Sequence, residues 1–328
     1  MNVKLLSFIV VLVVVAMAWR FGHWARVENS SLYTLSPTKT ETEIETEDAF
    51  LGILRQKIPR RGSFPRIGVI DSGLDLALAK KEGVHFSDED LLGLNLVERV
   101  KGAAMSDDLF HGTGLFLQLA AKRNGFGMSG LLPEAEVFPI RVGNITEFTT
   151  ANLPFSRIEE AFEIAKRRKI RILSFSLSNV SSFWSQGEMD KLLAKYTADF
   201  LVVVSSGNDG WDLSYGRKCT YIPVCNRAPN LVKVGARDCV YANRGEVVDI
   251  WVDSKSFQWR RVPSKEDKVF ELKEVTSTSV AVPKVTAAVA LLLAEESHLT
   301  PSELKRRLIW AKDRSGKLVL SKLFPGRH

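Results

Sequence analysis

Short apolar runs rich in Val, Ile, Leu and Phe punctuate the middle of the chain, and most end at a Ser, Gly, Asp or Asn. They show no polar alternation, which is the pattern of strands buried on both faces. Strands are expected at 66–70, 136–142, 170–175, 200–205 and 231–234. Helix-forming stretches separate them, at 111–122, 157–168, 187–196, 279–295 and 301–310. The alternation predicts an α/β domain with a mostly parallel central sheet flanked by helices. Thr300-Pro301-Ser302-Glu303 is a helix start, with Thr300 as cap, Pro301 first and Glu303 third. The charged, Trp-bearing segment 254–273 reads as a surface hairpin inserted before the last long apolar run.

The beginning of the chain has a different character. Met1 to Lys4 is short and basic, and Leu5 to Trp19 is almost wholly apolar. That run is shorter than the ~20 residues a spanning helix needs, which predicts a secretory signal peptide over 1–18 with a small-x-small site at Ala16-Met17-Ala18. An uncleaved anchor stays open as the alternative, because Trp19, Arg20, Trp24 and Arg26 suit a membrane interface, giving membrane association through residues 1–26. Residues 29–48 are Thr/Glu-rich and read as solvated linker. The whole of 19–62 is expected to be polar linker or short pro-segment, with Lys57-Ile58-Pro59-Arg60-Arg61 as a processing site or a basic surface loop. One domain over 63–315 and a C-terminal tail over 316–328 complete the division.

Candidate chemistry enters with the run Val275-Thr276-Ser277-Thr278-Ser279-Val280-Ala281-Val282-Pro283. It places hydroxyls at the mouth of a buried helix, where unpaired backbone N–H groups and a partial positive charge can stabilise an oxyanion. Ser279 is therefore a candidate nucleophile; taken alone it reads as well as a helix N-cap. Upstream, Ile67-Gly68-Val69-Ile70 runs into Asp71-Ser72-Gly73, putting an acid at the carboxyl end of a strand, where catalytic groups of open α/β sheets gather. Asp-Ser-Gly is also a common turn former. His111 precedes Gly112-Thr113-Gly114 at a loop-to-helix entry. The chain order Asp, His, Ser is one of the known orders of the serine hydrolase triad.

Four ordered blocks carry a resemblance. Asp71-Ser72-Gly73 matches D-[ST]-G, His111-Gly112-Thr113 matches H-G-T, and Ser277 to Pro283 matches G-T-S-x-A-x-P with Ser277 in place of the glycine. Val202-Val203-Val204-Ser205-Ser206-Gly207-Asn208 is similar to the strand and loop that deliver an oxyanion-hole asparagine. In these blocks the chain resembles the subtilisin-like serine proteases, the subtilases. The resemblance implies a three-layer subtilisin-like fold, with 63–315 as the peptidase domain. It implies Asp71, His111 and Ser279 as triad, the Asn208 side chain and the Ser279 backbone N–H as oxyanion donors, and Ser176, Leu177, Ser178, Ser206 and Gly207 as substrate-binding residues. Gly114 and Lys284 stand where many relatives have histidine, and Ser178 where the family has glycine after Ser-Leu; the first two are read as packing variation. The implied function is that of an exported serine endopeptidase working through an acyl-enzyme on peptides or proteins. A catalytically weak subtilase-fold protein that binds a peptide or partner in the same cleft is the alternative, motivated by Ser277 and by a pre-domain segment too short for a folded inhibitory prodomain.

Neither metal nor organic cofactor is expected; a structural calcium ion is common in relatives, but Asp75 and Ser87-Asp88-Glu89-Asp90 give no assignable ligand set. Cys219 and Cys225 are close enough in sequence to form a disulfide in an oxidising compartment, leaving Cys239 unpaired, and three reduced thiols are the alternative. A net charge of +7 raises the nucleic-acid question, yet no helix-turn-helix, zinc knuckle or aromatic-basic platform accompanies it, so no nucleic-acid partner is expected. With 328 residues and 45% apolar content the chain can bury a full core. The expected setting is secreted or periplasmic, or membrane-anchored with the catalytic domain outside the cytoplasm, as a monomer.

Overall fold

The apolar runs become the middle strands of one sheet because they have no polar face to leave to water. The structure is a computed structural model that describes residues 49–56, 64–97, 105–107, 109–144, 155–180, 183–214, 219, 221–262 and 269–325. The expected signal or anchor segment, the Thr/Glu-rich stretch to residue 48 and the basic run Lys57 to Arg61 lie outside the described residues.

In chain order the first elements are α1 (Ala49–Gln56), β1 (Ile67–Asp71), α2 (Leu76–Lys81), α3 (Asp88–Leu91), α4 (His111–Ala120) and β2 (Val137–Arg141). Next come α5 (Phe155–Arg167), β3 (Ile172–Phe175), β4 (Asn179–Val180), α6 (Phe183–Lys195), β5 (Leu201–Ser205), β6 (Tyr221–Ile222) and β7 (Leu231–Ala236). The last are β8 (Ile250–Val252), β9 (Ser256–Val262), β10 (Val269–Val275), α7 (Thr278–Glu295), α8 (Pro301–Trp310) and α9 (Leu320–Leu323).

Six strands form a sheet in the order β2-β1-β3-β5-β7-β8, every pair parallel. Strands β1, β2, β3, β5 and β7 are buried at every residue, as a sheet covered on both faces requires. Helices α4 and α7 pack together against it, while α5 and α6 pack on each other, giving the three-layer α/β arrangement. The carboxyl ends of β1, β3 and β5 lie side by side and carry Asp71, the Ser176–Ser178 segment and the Ser206–Asn208 segment.

Helix α7 is the axis of the core. From Thr278 to Leu293 every residue is buried, and the helix is long and apolar enough to cross a membrane while lying inside the protein. It packs on β3, β5 and β7.

Several elements differ from expectation for identifiable reasons. The short β8 was not anticipated; Ile250–Val252 carries too few residues to show a pattern but completes the sheet beside β7. The hairpin is β9–β10, pairing Ser256 with Val275, so it reaches nearer the Ser279 block than expected. Helix α1 falls in the segment assigned to linker: Leu51 and Leu54 are buried in the main core. The expected tail likewise contains α9, with Leu320, Leu323 and Phe324 in the same core.

Candidate active site

The start of α7 decides how Ser279 is presented. Ser277, not Ser279, is the N-cap: its Oγ accepts from the Val280 N–H at 3.2 Å in extended backbone (φ −166°, ψ 166°). Ser277 therefore supplies a cap where the sequence departs from glycine. The first-turn amides can be followed one by one. Thr278 N–H donates to Asn208 Oδ1 at 3.0 Å, as does Thr278 Oγ1, and Ala281 N–H donates to the Ser277 carbonyl at 3.2 Å. The Ser279 N–H makes no hydrogen bond among the described residues, and neither does the side-chain amide nitrogen of Asn208.

Pro283 explains another contact. It has no N–H, so the carbonyl four residues back, that of Ser279, loses its helical partner. The Ser176 hydroxyl replaces it, donating to Ser279 O at 3.1 Å. Ser205 Oγ donates to the Ser176 carbonyl at 3.2 Å, and Ser279 Oγ to that same carbonyl at 3.4 Å. Thus Ser176, Ser205, Asn208 and the start of α7 are one connected network. Ser279 is buried, and its hydroxyl bonds to Ser176 rather than to His111 among the described residues.

His111 and Asp71 meet directly. His111 Nδ1 lies 2.7 Å from Asp71 Oδ1, which also accepts from the Ser72 N–H at 2.8 Å and Ser72 Oγ at 3.2 Å. Asp71 is fully buried, and its Oδ2 has no hydrogen-bond partner among the described residues. Such an acceptor on Nδ1 makes it the N–H nitrogen and leaves Nε2 as the base. The approach depends on Gly112: a Cβ there would stand 2.5 Å from the Gly73 carbonyl oxygen and 3.1 Å from Asp71 Cβ. Gly112 N–H donates to Ser72 Oγ at 2.9 Å.

Asp107 is a residue that sequence reasoning missed. Its carboxylate accepts from Phe110 N–H at 2.8 Å, and from Thr113 N–H and Thr113 Oγ1 at 2.7 Å each. It thereby holds the first turn of α4, whose cap position is Phe110 in a left-handed conformation (φ 62°). Thr113 Oγ1 in turn accepts from Asp75 N–H at 2.9 Å. The available signal was an acid shortly before a helix start, a favourable place for negative charge. Burial pushes the Asp107 carboxyl up, with the Asp71 charge in the same direction, against the hydrogen bonds from Thr113 and Ser72. At His111 burial lowers the pKa, but the Asp71 charge and hydrogen bond, with Asp107, outweigh it and the opposing Arg260 guanidinium, and the net shift is upward.

The departures from the family pattern also find contacts. Gln258 of β9 sits against Gly114 and donates from Nε2 to Gln118 Oε1 at 3.0 Å, so the hairpin occupies the space beside Gly114. Lys284, buried, donates to the Lys255 carbonyl at 2.7 Å and stands over the Phe50 ring of α1 at 5.5 Å. Cys219 and Cys225 are joined by a disulfide with Cα atoms 5.6 Å apart, and Cys239 is free and buried. Among the described residues no cluster of three or more His, Cys, Asp or Glu is placed to hold a metal ion. Two of the acids considered for calcium serve helix starts: Asp75 Oδ1 accepts from Leu78 N–H, and Asp90 forms a capping box with Ser87.

Two expectations follow from this geometry. Replacing the Ser277 cap by Ala should cost about 1 kcal/mol in denaturant unfolding, whereas Ser277→Gly should cost only a few tenths. A cost for Gly equal to that for Ala would remove the capping explanation. In an NMR titration His111 should hold its proton above the ordinary histidine pKa, and Asp107→Asn should move that titration downward, since a charge favouring the imidazolium is lost.

The geometry places this chain beside known proteins. A family model described as the Subtilase family matches residues 62–324. The subtilisin-like proteinase Mp1 of Magnaporthiopsis poae is 27% identical over 250 residues, covering 73% of this chain and 56% of that protein. A cell wall-associated protease of Bacillus subtilis is 28% identical over 244 residues, covering 74% of this chain and 25% of that protein. The chain thus spans only about half, or a quarter, of the length of these relatives. A lanthipeptide protease of known structure superposes with a TM-score of 0.62 at 19% identity, over 80% of this chain and 87% of that one. The epidermin leader peptide processing serine protease of Staphylococcus aureus gives 0.59 at 18% identity, over 83% of this chain and 77% of that one. Matched from before β1 to α9, the chain belongs to the subtilase family of subtilisin-like serine proteases.

Proposed function

We propose that this protein is an exported serine endopeptidase in which Ser279 attacks a peptide carbonyl, His111 is general base and acid, and Asp71 orients His111. The observation that carries the reading is the pattern of donors at the start of α7. Among the described residues the first-turn amides of Thr278, Val280 and Ala281 each have a partner and that of Ser279 has none, and Asn208, bonded through Oδ1 to Thr278, keeps its amide nitrogen unengaged. Two such donors at one helix start are what a tetrahedral oxyanion needs.

In this mechanism Ser279 turns its hydroxyl from the Ser176 carbonyl, a long bond at 3.4 Å, toward His111 Nε2. His111 takes the proton as Ser279 Oγ adds to the carbonyl carbon. The anionic oxygen is held by the Ser279 N–H and the Asn208 side chain. Collapse breaks the C–N bond, His111 returns the proton to the leaving amine, and water repeats the sequence to free the acid. The base form of His111 is required, so its raised pKa places the acid limb of activity above the ordinary histidine value. Ser176, Leu177, Ser178, Ser206 and Gly207 would hold the substrate on the acyl side. The Cys219–Cys225 pair supports an oxidising compartment, secreted or periplasmic, and the apolar start of the chain supports export.

The Ser279–Ser176 bond favours one second reading, a protein of this fold that binds peptides with little turnover. A fluorophosphonate probe applied to the full chain separates the two. Covalent labelling of wild type, absent in Ser279→Ala, is the expected result; a folded wild type that resists the probe would leave the binding reading. On a peptide substrate Asn208→Ala should lower turnover by about 100-fold to 1,000-fold.

A further inference from the structure

The hairpin that precedes Ser279 carries a cation with no counter-ion. In the antiparallel ladder of β9 and β10, Ser256 stands opposite Val275, Gln258 opposite Lys273 and Arg260 opposite Glu271. Alternate residues of a strand share a face, so these six side chains lie on one face of the hairpin. Two of them show where that face is turned. Val275 packs with Leu115 of α4 and Val280 of α7. Gln258 lies against Gly114 and donates to Gln118 Oε1 at 3.0 Å, and Gln118 Nε2 donates onward to the Val280 carbonyl at 3.0 Å. The face that carries Arg260 is therefore set on the helix that His111 opens and on the first turn of the helix that holds Ser279. On the opposite face Trp259 donates to Glu82 Oε1 and stacks on Phe126 with centroids 5.6 Å apart, so the strand is held from both sides.

The other charges nearby are committed. Glu271, opposite Arg260, pairs with Lys273 at 3.3 Å, and Lys255 pairs with Glu274 at 2.7 Å. Asp71 and Asp107 are bound to donors of their own at the ends of β1 and α4. Arg260, half-buried, makes no hydrogen bond or ion pair among the described residues. Its guanidinium is still near enough to His111 to oppose protonation of the imidazole. His111 keeps 24% of its side chain exposed, so solvent and substrate reach this corner. A half-buried guanidinium with its donors uncommitted matches the geometry and charge of a carboxylate. The acyl side of a bound peptide belongs to the ends of β3 and β5, and the leaving amine departs on the other side of the scissile bond, toward His111, which protonates it. The leaving fragment thus runs past the start of α4, where β9 lies.

We propose that Arg260 binds a carboxylate carried by the leaving fragment of the substrate, from an acidic side chain shortly after the scissile bond or from a nearby C-terminus. The proposal rests on the catalytic reading above. It is tested with full-length protein and matched peptides: Asp against Asn at the first or second position after the bond in C-terminally amidated peptides, and free acid against amide in short neutral ones. Fluorophosphonate labelling of Ser279 is read on the same samples. Wild type should prefer the carboxylate member of a pair by about tenfold in kcat/KM, the scale of one charge-assisted hydrogen bond, and less so at high salt. A preference in the Asp/Asn pairs assigns the side chain, and one confined to the free acids assigns the C-terminus. Arg260→Gln should bring the ratio close to one, Arg260→Lys should keep part of it, and Arg260→Glu should turn it in favour of Lys over Asp. A wild type that labels at Ser279 but cleaves charged and neutral partners alike overturns the proposal, even if Arg260→Gln does not fold. So does a folded, labelling Arg260→Gln with the wild-type preference. A folded wild type that neither labels nor cleaves overturns the catalytic reading, and this proposal with it.

Discussion

A helix sunk in protein must satisfy its first amides without water, and that constraint organises this molecule. The eighteen residues of α7 are apolar on all sides and buried along nearly their whole length, so their start cannot fray into solvent. The Ser277 hydroxyl, the Ser277 carbonyl and the Asn208 side chain meet that need from three directions. Pro283 adds a second demand by freeing a carbonyl inside the helix, and Ser176 answers it. The strand ends of β3 and β5 are thereby bound to α7 through the same residues that surround Ser279. Stability of the core helix and construction of the site are the same set of hydrogen bonds.

The electrostatic half of the site stands on the other side of the sheet's carboxyl edge, where Asp71 ends β1 and His111 opens α4. A buried carboxylate with one free oxygen is costly unless its other oxygen is well bound. Asp71 Oδ1 takes three donors, His111 Nδ1 among them. Asp107 sets a second negative charge at the same helix start, and Arg260 from the β9–β10 hairpin opposes both at His111. The histidine therefore titrates under the joint influence of Asp71, Asp107 and Arg260, from three separate stretches of the chain.

Much of this was legible in the chain because the physics is local. Short apolar runs without alternation between turn residues read as doubly buried strands, and Asp71, His111 and Ser279 stand in motifs whose neighbours have local work to do, as Gly112 has at Gly73 and Pro283 has at the Ser279 carbonyl. What was not legible depends on partners distant in sequence. On paper Ser279 reads as the cap; in the fold Ser277, in extended backbone, takes that place and accepts from the Val280 N–H. Asp107 lies in an ordinary polar loop until the chain brings Thr113 to it. Helices α1 and α9 are short, eight and four residues, so the i, i+3 spacing of their buried leucines spans too little chain to stand out from the polar segments on either side. Arg260 belongs to no motif, and its place on the hairpin face turned to α4 arises from the register of β9 with β10.

Helix α1 has a mechanical meaning as well. Its leucines are sunk in the core and Phe50 lies under the ammonium of Lys284, itself an α7 residue close to Ser279 in sequence. A pull on the chain from the N-terminal side would be taken up first by this latch, not by the ladder of β1. The stress would be passed to the flank of α7 while the strand that carries Asp71 stayed in register.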